Sequence, residues 1–140
     1  MEITVKHHMS AGHRIPGLAG EGSKCSNIHG HTFGISWTFR VDSVNAEAIE
    51  FAEVKKRLRG WINEHLDHGF ICYAEDIKTI KFLYANKHKL YVVDHPPTTE
   101  MIATEIANAV LSMEGLGEYL VAVDVTEGPH NSARWSRELS

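Results

Sequence analysis

The clearest alternation of polar and apolar residues lies at positions 29–41, "HGHTFGISWTFRV". From Phe33 to Val41 every second residue is apolar, and the residues between them are small, polar or charged. Side chains of a strand alternate between its two faces, so the pattern predicts a long strand with one buried face. His29 and His31 fall on that buried face.

A second strand is predicted near the start of the chain, at about Glu2 to Ser10. The odd-numbered residues there, which would share one face of the strand, are mostly apolar: Ile3, Val5, His7 and Met9. The same series continues through Ala11 to His13. We expect the two strands to pair antiparallel across the glycine-rich connection between them, which would bring His13 to the face of the other two histidines.

Two helices are predicted from apolar residues at helical spacing. The first covers 47–66, and its buried stripe would be Phe51, Val54, Leu58, Trp61, Ile62 and Leu66. The second begins near Thr98, whose hydroxyl is a good N-cap after two prolines. Its buried stripe would be Ile102, Ile106, Ala109, Val110 and Met113.

The remaining segments complete the predicted order of elements. Residues 118–128 alternate again and place Val121, Val123, Val125 and Glu127 on one face, and a short last strand could follow. Segment 69–95 is the least regular, with a short helix predicted near 77–84 and a strand near 89–93. This order predicts an α+β fold with an antiparallel sheet, as a single domain over 1–140.

Composition excludes some classes of function and suggests others. A net charge of −4 argues against a nucleic-acid partner, and no apolar run is as long as a membrane helix or the core of a signal peptide. We therefore expect a cytoplasmic protein without a membrane partner. Cys25 and Cys72 are too few for a disulfide framework, so free thiols are expected. Ten histidines in 140 residues point to metal or proton chemistry.

Three histidines on one predicted face are the strongest chemical signal. Each alone could be a buried histidine with a hydrogen-bond partner, but a His-x-His pair joined by His13 favours a metal site. Three nitrogen ligands leave a position open for water or substrate, as in catalytic zinc sites. Cys25 could close the same site as a fourth ligand, which would make it structural, and that alternative stays open.

Three further groups could take part in proton transfer or binding. Beside a cation, Cys25 would be favoured as thiolate and could act as base or nucleophile, although most single cysteines are inert. Asp67 and His68 could form an oriented acid–base pair or a mere exposed helix end. Glu127 places a carboxylate in a series of alternate residues that is otherwise apolar, and a pair of N–H donors on a heterocycle would provide its hydrogen-bond partners.

The motifs "SAGHR", "KCSNIHGH", "LDH", "PPTTE" and "VTEG" occur in the order seen in the 6-pyruvoyl-tetrahydropterin synthase family, which the chain resembles over most of 1–66 and 94–128. The spacing of Cys25 and the His-Gly-His motif resembles the bacterial 6-carboxytetrahydropterin synthase branch of queuosine biosynthesis. The resemblance implies a tunnelling fold, with a four-stranded antiparallel sheet, two helices on one face, and subunits closing into a barrel. A homo-oligomer built on trimers, a hexamer, with active sites at subunit interfaces, is the expected assembly.

The same resemblance assigns roles to residues. It implies zinc on His13, His29 and His31, proton transfer by Cys25, Asp67 and His68, and a pterin ring anchored by Glu127 with help from Thr98, Thr99 and Glu100. On charge grounds, Lys24 and Arg14 are candidate triphosphate contacts or simply solvated cations.

The implied reaction converts 7,8-dihydroneopterin triphosphate to 6-carboxy-5,6,7,8-tetrahydropterin, with loss of triphosphate and acetaldehyde. The alternatives are the pyruvoyl-forming synthase, which stops after triphosphate loss, and a non-enzymatic zinc- or pterin-binding relative. Two departures from the family pattern bear on this choice. "GFIC" follows the "LDH" motif, and segment 69–95 is longer than expected.

Overall fold

Two long antiparallel strands form the centre of the protein. In the computed structural model, which describes residues 1–42 and 50–137, β1 (Glu2–His13) pairs with β2 (His29–Arg40) along its whole length. The register places His13 opposite His29 and Ala11 opposite His31. The predicted pairing is confirmed, and β1 continues past Ser10 to His13 because the ladder with β2 extends that far.

Four more strands complete one mixed sheet in the order β4-β3-β1-β2-β5-β6. They are β3 (Gly69–Tyr73), β4 (Leu90–Val93), β5 (Leu120–Glu127) and β6 (Asn131–Ser136). On one side of the central pair, β5 and β6 continue the antiparallel pattern. On the other side, β3 runs parallel to β1, and β4 runs parallel to β3.

The prediction of a four-stranded antiparallel sheet is therefore wrong. The sequence "GFICY" shows no alternation because β3 is covered on both faces: Ile71 belongs to the main core, whereas Phe70 and Cys72 form a second cluster with Leu83. Parallel strands buried on both sides read as continuous apolar runs, so their pairing is invisible to a period-two pattern.

Three α-helices in the described residues cover the sheet: α1 (Phe51–His65), α2 (Ile77–Ala85) and α3 (Thr99–Leu111), with short 3₁₀ helices at Gly20–Ser26 and Gly117–Tyr119. Apolar residues of α1 and α3 pack in one core with Phe33 and Trp37 of β2. Helix α2, predicted near 77–84, contributes Leu83 to the cluster on the other face of β3. No described helix is long and apolar enough to cross a membrane.

Some predicted core positions are corrected. Phe51, the first residue of α1, is 41% exposed, and the part of the predicted helix before residue 50 lies outside the described residues. Ala109 of α3 and Met113, which lies beyond the end of that helix, are only half-buried, and Ala103 and Ala107 fill the core instead. A register shift between β2 and β5 places Leu120 opposite Phe39, which buries Leu120 and leaves Val121 half-exposed.

Candidate functional site

The three predicted histidines converge where β1 ends and β2 begins. Their rings are 4.6–5.3 Å apart between centroids. One nitrogen from each ring lies within 4.8 Å of the others, which is close enough for the three side chains to converge on one metal ion. His13 and His29 meet across the strand pair, and His31 follows two residues along the same face of β2.

His13 is held in the protonation state that a metal ligand needs. Its Nδ1–H donates to the carbonyl oxygen of Pro97 at 2.8 Å, so the lone pair lies on Nε2. That Nε2 atom is buried and has no hydrogen-bond partner among the described residues. Burial lowers the pKa of His13 despite the opposing effect of the Pro97 hydrogen bond, and the nearby His29 adds to the lowering. A buried, unpartnered nitrogen lone pair costs free energy that a bound cation would recover.

His29 is oriented in the same way. Its Nδ1–H donates to the carbonyl oxygen of Asn27 at 2.7 Å, which leaves Nε2 free to bind. Metal-binding histidines usually donate their second ring N–H to a carbonyl or carboxylate, which fixes ring orientation. The donor set therefore fits a metal ion that accepts nitrogen ligands. Cys25 is not among the residues whose ligand atoms cluster there, so the structure gives no support to a fourth thiolate ligand.

Glu127 lies directly beside this histidine cluster. Its Oε1 atom is 3.4 Å from Nε2 of both His13 and His31. Glu127 ends β5, and Gly128 follows with φ +62°, a conformation that glycine adopts most easily and that turns the chain toward β6. The Glu127 carboxylate therefore lies at the edge of the histidine cluster, and its predicted pairing with N–H donors of a heterocycle stays a prediction.

A cleft of about 560 Å³ opens next to Glu127, and we call it the Glu127 cleft. It gathers five of the predicted site residues, and His130 joins them from the β5–β6 turn. Thr98 also caps α3 by accepting a hydrogen bond from the backbone N–H of Met101. The cleft is lined by Ile15, Cys25, Thr98, Thr99, Glu100, Glu127, His130, Asn131 and Ser132.

The Asp67–His68 pair lies at a second opening. His68 Nδ1–H donates to Asp67 at 2.9 Å, and the other Asp67 oxygen accepts the backbone N–H of Ser10, also at 2.9 Å. Burial would raise the pKa of Asp67, but these hydrogen bonds and the charge of Lys89 outweigh it and hold that pKa below its usual value. The His68 side chain is 81% exposed and its φ is +58°, so the turn presents an oriented imidazole to the outside.

This second opening, the His68 cleft, has a volume of about 490 Å³ and does not include Cys25. It is lined by Ser10, Ala11, Gly12, Gly30, His31, Thr32, His68 and Gly69. Cys25 and His68, two of the predicted proton-transfer residues, therefore line different clefts of the chain. The roles assigned to these residues stay predictions.

The two predicted triphosphate contacts differ in environment. Lys24 is exposed in the 3₁₀ helix before β2. Arg14 instead donates to protein acceptors, with Nε on the carbonyl oxygen of Ser26 and Nη1 on Asp76, both at 2.7 Å. Sequence reasoning missed Asp76 and the carbonyls of Pro97 and Asn27. Backbone acceptors leave no residue-type signal, and Asp76 is distant in sequence from the groups it contacts.

Comparisons with known proteins point to one family. The model of the family described as 6-pyruvoyl tetrahydropterin synthase matches residues 2–138. A Rickettsia bellii protein named 6-carboxy-5,6,7,8-tetrahydropterin synthase is 26% identical over 113 residues, covering 79% of this chain and 80% of that protein. A Bacillus subtilis protein of the same name is 29% identical over 111 residues, covering 78% of this chain and 64% of that protein.

Solved structures show the same fold. The 6-pyruvoyl tetrahydropterin synthase of Caenorhabditis elegans superposes with a TM-score of 0.71 at 19% identity, covering 99% of this chain and 96% of that one. The Plasmodium vivax enzyme gives 0.71 at 18% identity, covering 99% and 98%. These findings confirm the predicted resemblance and the prediction of a lyase-type enzyme. Since the family model extends over nearly the whole chain, the protein belongs to the 6-pyruvoyl tetrahydropterin synthase family.

Proposed function

We propose that this protein is a zinc-dependent lyase that converts 7,8-dihydroneopterin triphosphate and water to 6-carboxy-5,6,7,8-tetrahydropterin, acetaldehyde and triphosphate. The observation that carries the proposal is the histidine cluster, with an unpartnered Nε2 on His13, at the edge of a cleft that holds Cys25 and Glu127. The names of the Rickettsia and Bacillus relatives support the carboxy product. The corresponding place in metabolism is queuosine biosynthesis.

His13, His29 and His31 would hold the zinc ion through nitrogens whose orientation the Pro97 and Asn27 carbonyls already fix. Three nitrogen ligands leave an open position, which is the arrangement of catalytic rather than structural zinc sites. When bound, zinc supplies Lewis acidity toward the substrate's side-chain oxygens, which makes the neighbouring C–H protons easier to remove.

The residues of the Glu127 cleft bind the substrate and begin the reaction. The Glu127 carboxylate accepts two N–H donors from the pterin ring, with Thr98, Thr99 and Glu100 around it. Cys25, as thiolate, takes a proton from the substrate side chain. Lys24, which is exposed and precedes Cys25 in the chain, is a cation that could contact the triphosphate.

The Asp67–His68 pair returns a proton to the side chain. Asp67 orients the imidazole, and the exposed side of the ring is free to donate. Triphosphate then leaves. In the carboxy-forming reaction, the bond between the first two side-chain carbons breaks with uptake of one water, which leaves a carboxylate on the ring and releases acetaldehyde.

We also propose that the protein is cytoplasmic and that it forms a homo-oligomer built on trimers, a hexamer, with active sites between subunits. Two observations support it. Cys25 and His68 line different clefts of one chain, so a neighbour's His68 could complete the site around Cys25. The sheet also ends in two edge strands, β4 and β6, and closure with neighbouring sheets would protect them.

Product analysis tests this function. Zinc-loaded protein incubated with 7,8-dihydroneopterin triphosphate should yield acetaldehyde and a carboxypterin in equal amounts by mass spectrometry. Triphosphate release without acetaldehyde would identify the pyruvoyl-forming reaction instead. Unchanged substrate in the presence of bound zinc would contradict the proposed lyase and favour a non-enzymatic binding protein.

A further inference from the structure

The loop that carries Cys25 is held by polar contacts instead of a core. Cys25 belongs to the 3₁₀ helix Gly20–Ser26, and no residue of that helix is buried. Apolar packing therefore contributes little to its position. A group that must transfer a proton within hydrogen-bond reach needs a fixed position, so something else has to hold this loop.

Three consecutive carbonyl groups provide the attachment. The carbonyl of Cys25 accepts the backbone N–H of Ile15 at 2.8 Å, and the carbonyl of Ser26 accepts Nε–H of Arg14 at 2.7 Å. The carbonyl of Asn27 accepts Nδ1–H of His29 at 2.7 Å. The loop is thereby tied to the residues that follow β1 and to the first residue of β2.

Arg14 is held in turn by Asp76, which comes from segment 69–95. Arg14 Nη1 donates to Asp76 Oδ2 at 2.7 Å and more weakly to Thr79 Oγ1 at 3.4 Å. The Asp76 side chain is only 7% exposed. A partly buried ion pair with charge-assisted hydrogen bonds restricts both side chains more than an exposed pair does.

The Asp76 carboxylate contacts Arg14 and does not cap its own helix. Asp76 is the N-cap residue of α2, where an aspartate side chain normally accepts a backbone N–H of the first turn. Here the side chain makes no capping hydrogen bond. The carboxylate points to Arg14, outside its own helix.

We propose that Arg14 is a positioning residue for the Cys25 loop, and that segment 69–95 supplies the carboxylate that fixes Arg14. This inference rests on the proposed role of Cys25 in proton transfer. It gives the added β3–α2–β4 segment a function in the active site, because Asp76 holds one nitrogen of the Arg14 guanidinium while another nitrogen of the same group holds the loop that carries the thiol. It also replaces the predicted contact between Arg14 and triphosphate.

Asp76→Asn tests the inference, because it removes the charge and keeps the size of the side chain. With zinc still bound, kcat should fall about 10- to 100-fold, because a displacement of a reacting group by about 1 Å can cost 10²-fold in rate. KM should stay within about threefold of the original value. Amide hydrogen exchange of residues 20–28 should be about 10-fold faster. Asp76→Glu, which keeps the charge, should recover part of both losses.

Arg14→Met should reproduce these effects, and the double variant should be no worse than Arg14→Met, because both changes break one connection. Asp124→Asn is the matched control. It breaks an ion pair with Arg134 that is 2.8 Å long and lies away from the loop, and it should change neither loop exchange nor kcat.

Two outcomes would overturn the inference. One is an Asp76→Asn variant in which the hydrogen exchange of residues 20–28 and kcat equal those of the original protein. The other is a raised KM with unchanged kcat in Arg14→Met but not in Asp76→Asn, which would assign Arg14 to the triphosphate. Hydrogen exchange needs no substrate, so this arm tests the attachment of the loop even if the original protein has no lyase activity, a result that would contradict only the proposed function.

Discussion

Two histidines of the same chain lie in opposite environments. His13 is 1% exposed, its Nδ1–H is fixed on a carbonyl, and its Nε2 has no partner among the described residues. His68 is 81% exposed, and its Nδ1–H is fixed on a carboxylate. In both rings a hydrogen bond at Nδ1 sets the tautomer, but the partner and the burial differ.

The difference separates two kinds of chemistry. Deep burial lowers the pKa of His13 despite the hydrogen bond to the Pro97 carbonyl and so favours the uncharged ring, which suits a metal ligand. The Asp67 carboxylate orients the His68 ring, and exposure lets the ring meet a group from outside, which suits proton transfer. Changes at the first histidine should therefore remove the metal, and changes at the second should reduce turnover only.

The largest effect is expected at the metal cluster. His31→Ala should lose most of about one zinc per chain, with affinity reduced by more than the 10- to 100-fold that changes around a ligand usually cost, because it deletes a ligand itself. Metal analysis by mass spectrometry measures this. His68→Ala is the matched control and should keep its zinc; equal zinc in both variants would remove His31 from the site.

The next effect is expected at Cys25. Cys25→Ala should retain zinc and bind a pterin, while turnover falls about 10²- to 10⁴-fold, the usual contribution of a positioned acid–base group. Steady-state kinetics on zinc-matched samples would show it. Burial raises the pKa of the Cys72 thiol to about 11, so Cys72→Ala serves as a control that keeps turnover. Loss of zinc from Cys25→Ala would instead assign the thiol as a ligand.

A similar but smaller loss should follow at the exposed histidine. His68→Asn should reduce turnover about 10²-fold, and Asp67→Asn by less, since it misorients the ring without removing it. Both variants should keep their zinc and their KM. If His68→Asn turned over at the original rate, the exposed pair would have no part in proton transfer.

The smallest effect concerns stability and pH. Because the folded-state pKa of Asp67 lies below its ordinary value of 3.8, the carboxylate stabilises the fold above that pH, and this contribution is lost as pH falls through the folded value. Asp67→Asn should therefore melt about 2–6 °C lower at pH 7. Thermal melts should converge for the two proteins well below pH 3.8, and a constant difference at all pH values would exclude this origin.

The two histidine regions also differ in how far the sequence predicts them. The metal cluster follows from alternation alone, because parity along β1 and β2 decides which side chains share a face. The register of His13 and His29 agrees with that reasoning. The motif with Asp67 and His68 predicts the pair, but its attachment to Ser10 depends on the parallel pairing of β1 with β3, which no local pattern encodes.

Segment 69–95 shows the same limit. Its helix and last strand are short enough to predict from local preference, whereas β3 is buried on both faces and lacks a period. The contact between Arg14 and Asp76 joins residues that are far apart in the chain, so only the fold brings it to light.

Zinc-dependent turnover is the most direct test of the central claim that the histidine cluster holds the metal for catalysis. Protein stripped with a chelator should be inactive toward 7,8-dihydroneopterin triphosphate. Activity should then rise in proportion to added zinc and level off at about one ion per chain, while His31→Ala stays inactive over the same range. Full turnover by metal-free protein, or full activity of zinc-treated His31→Ala, would contradict the account.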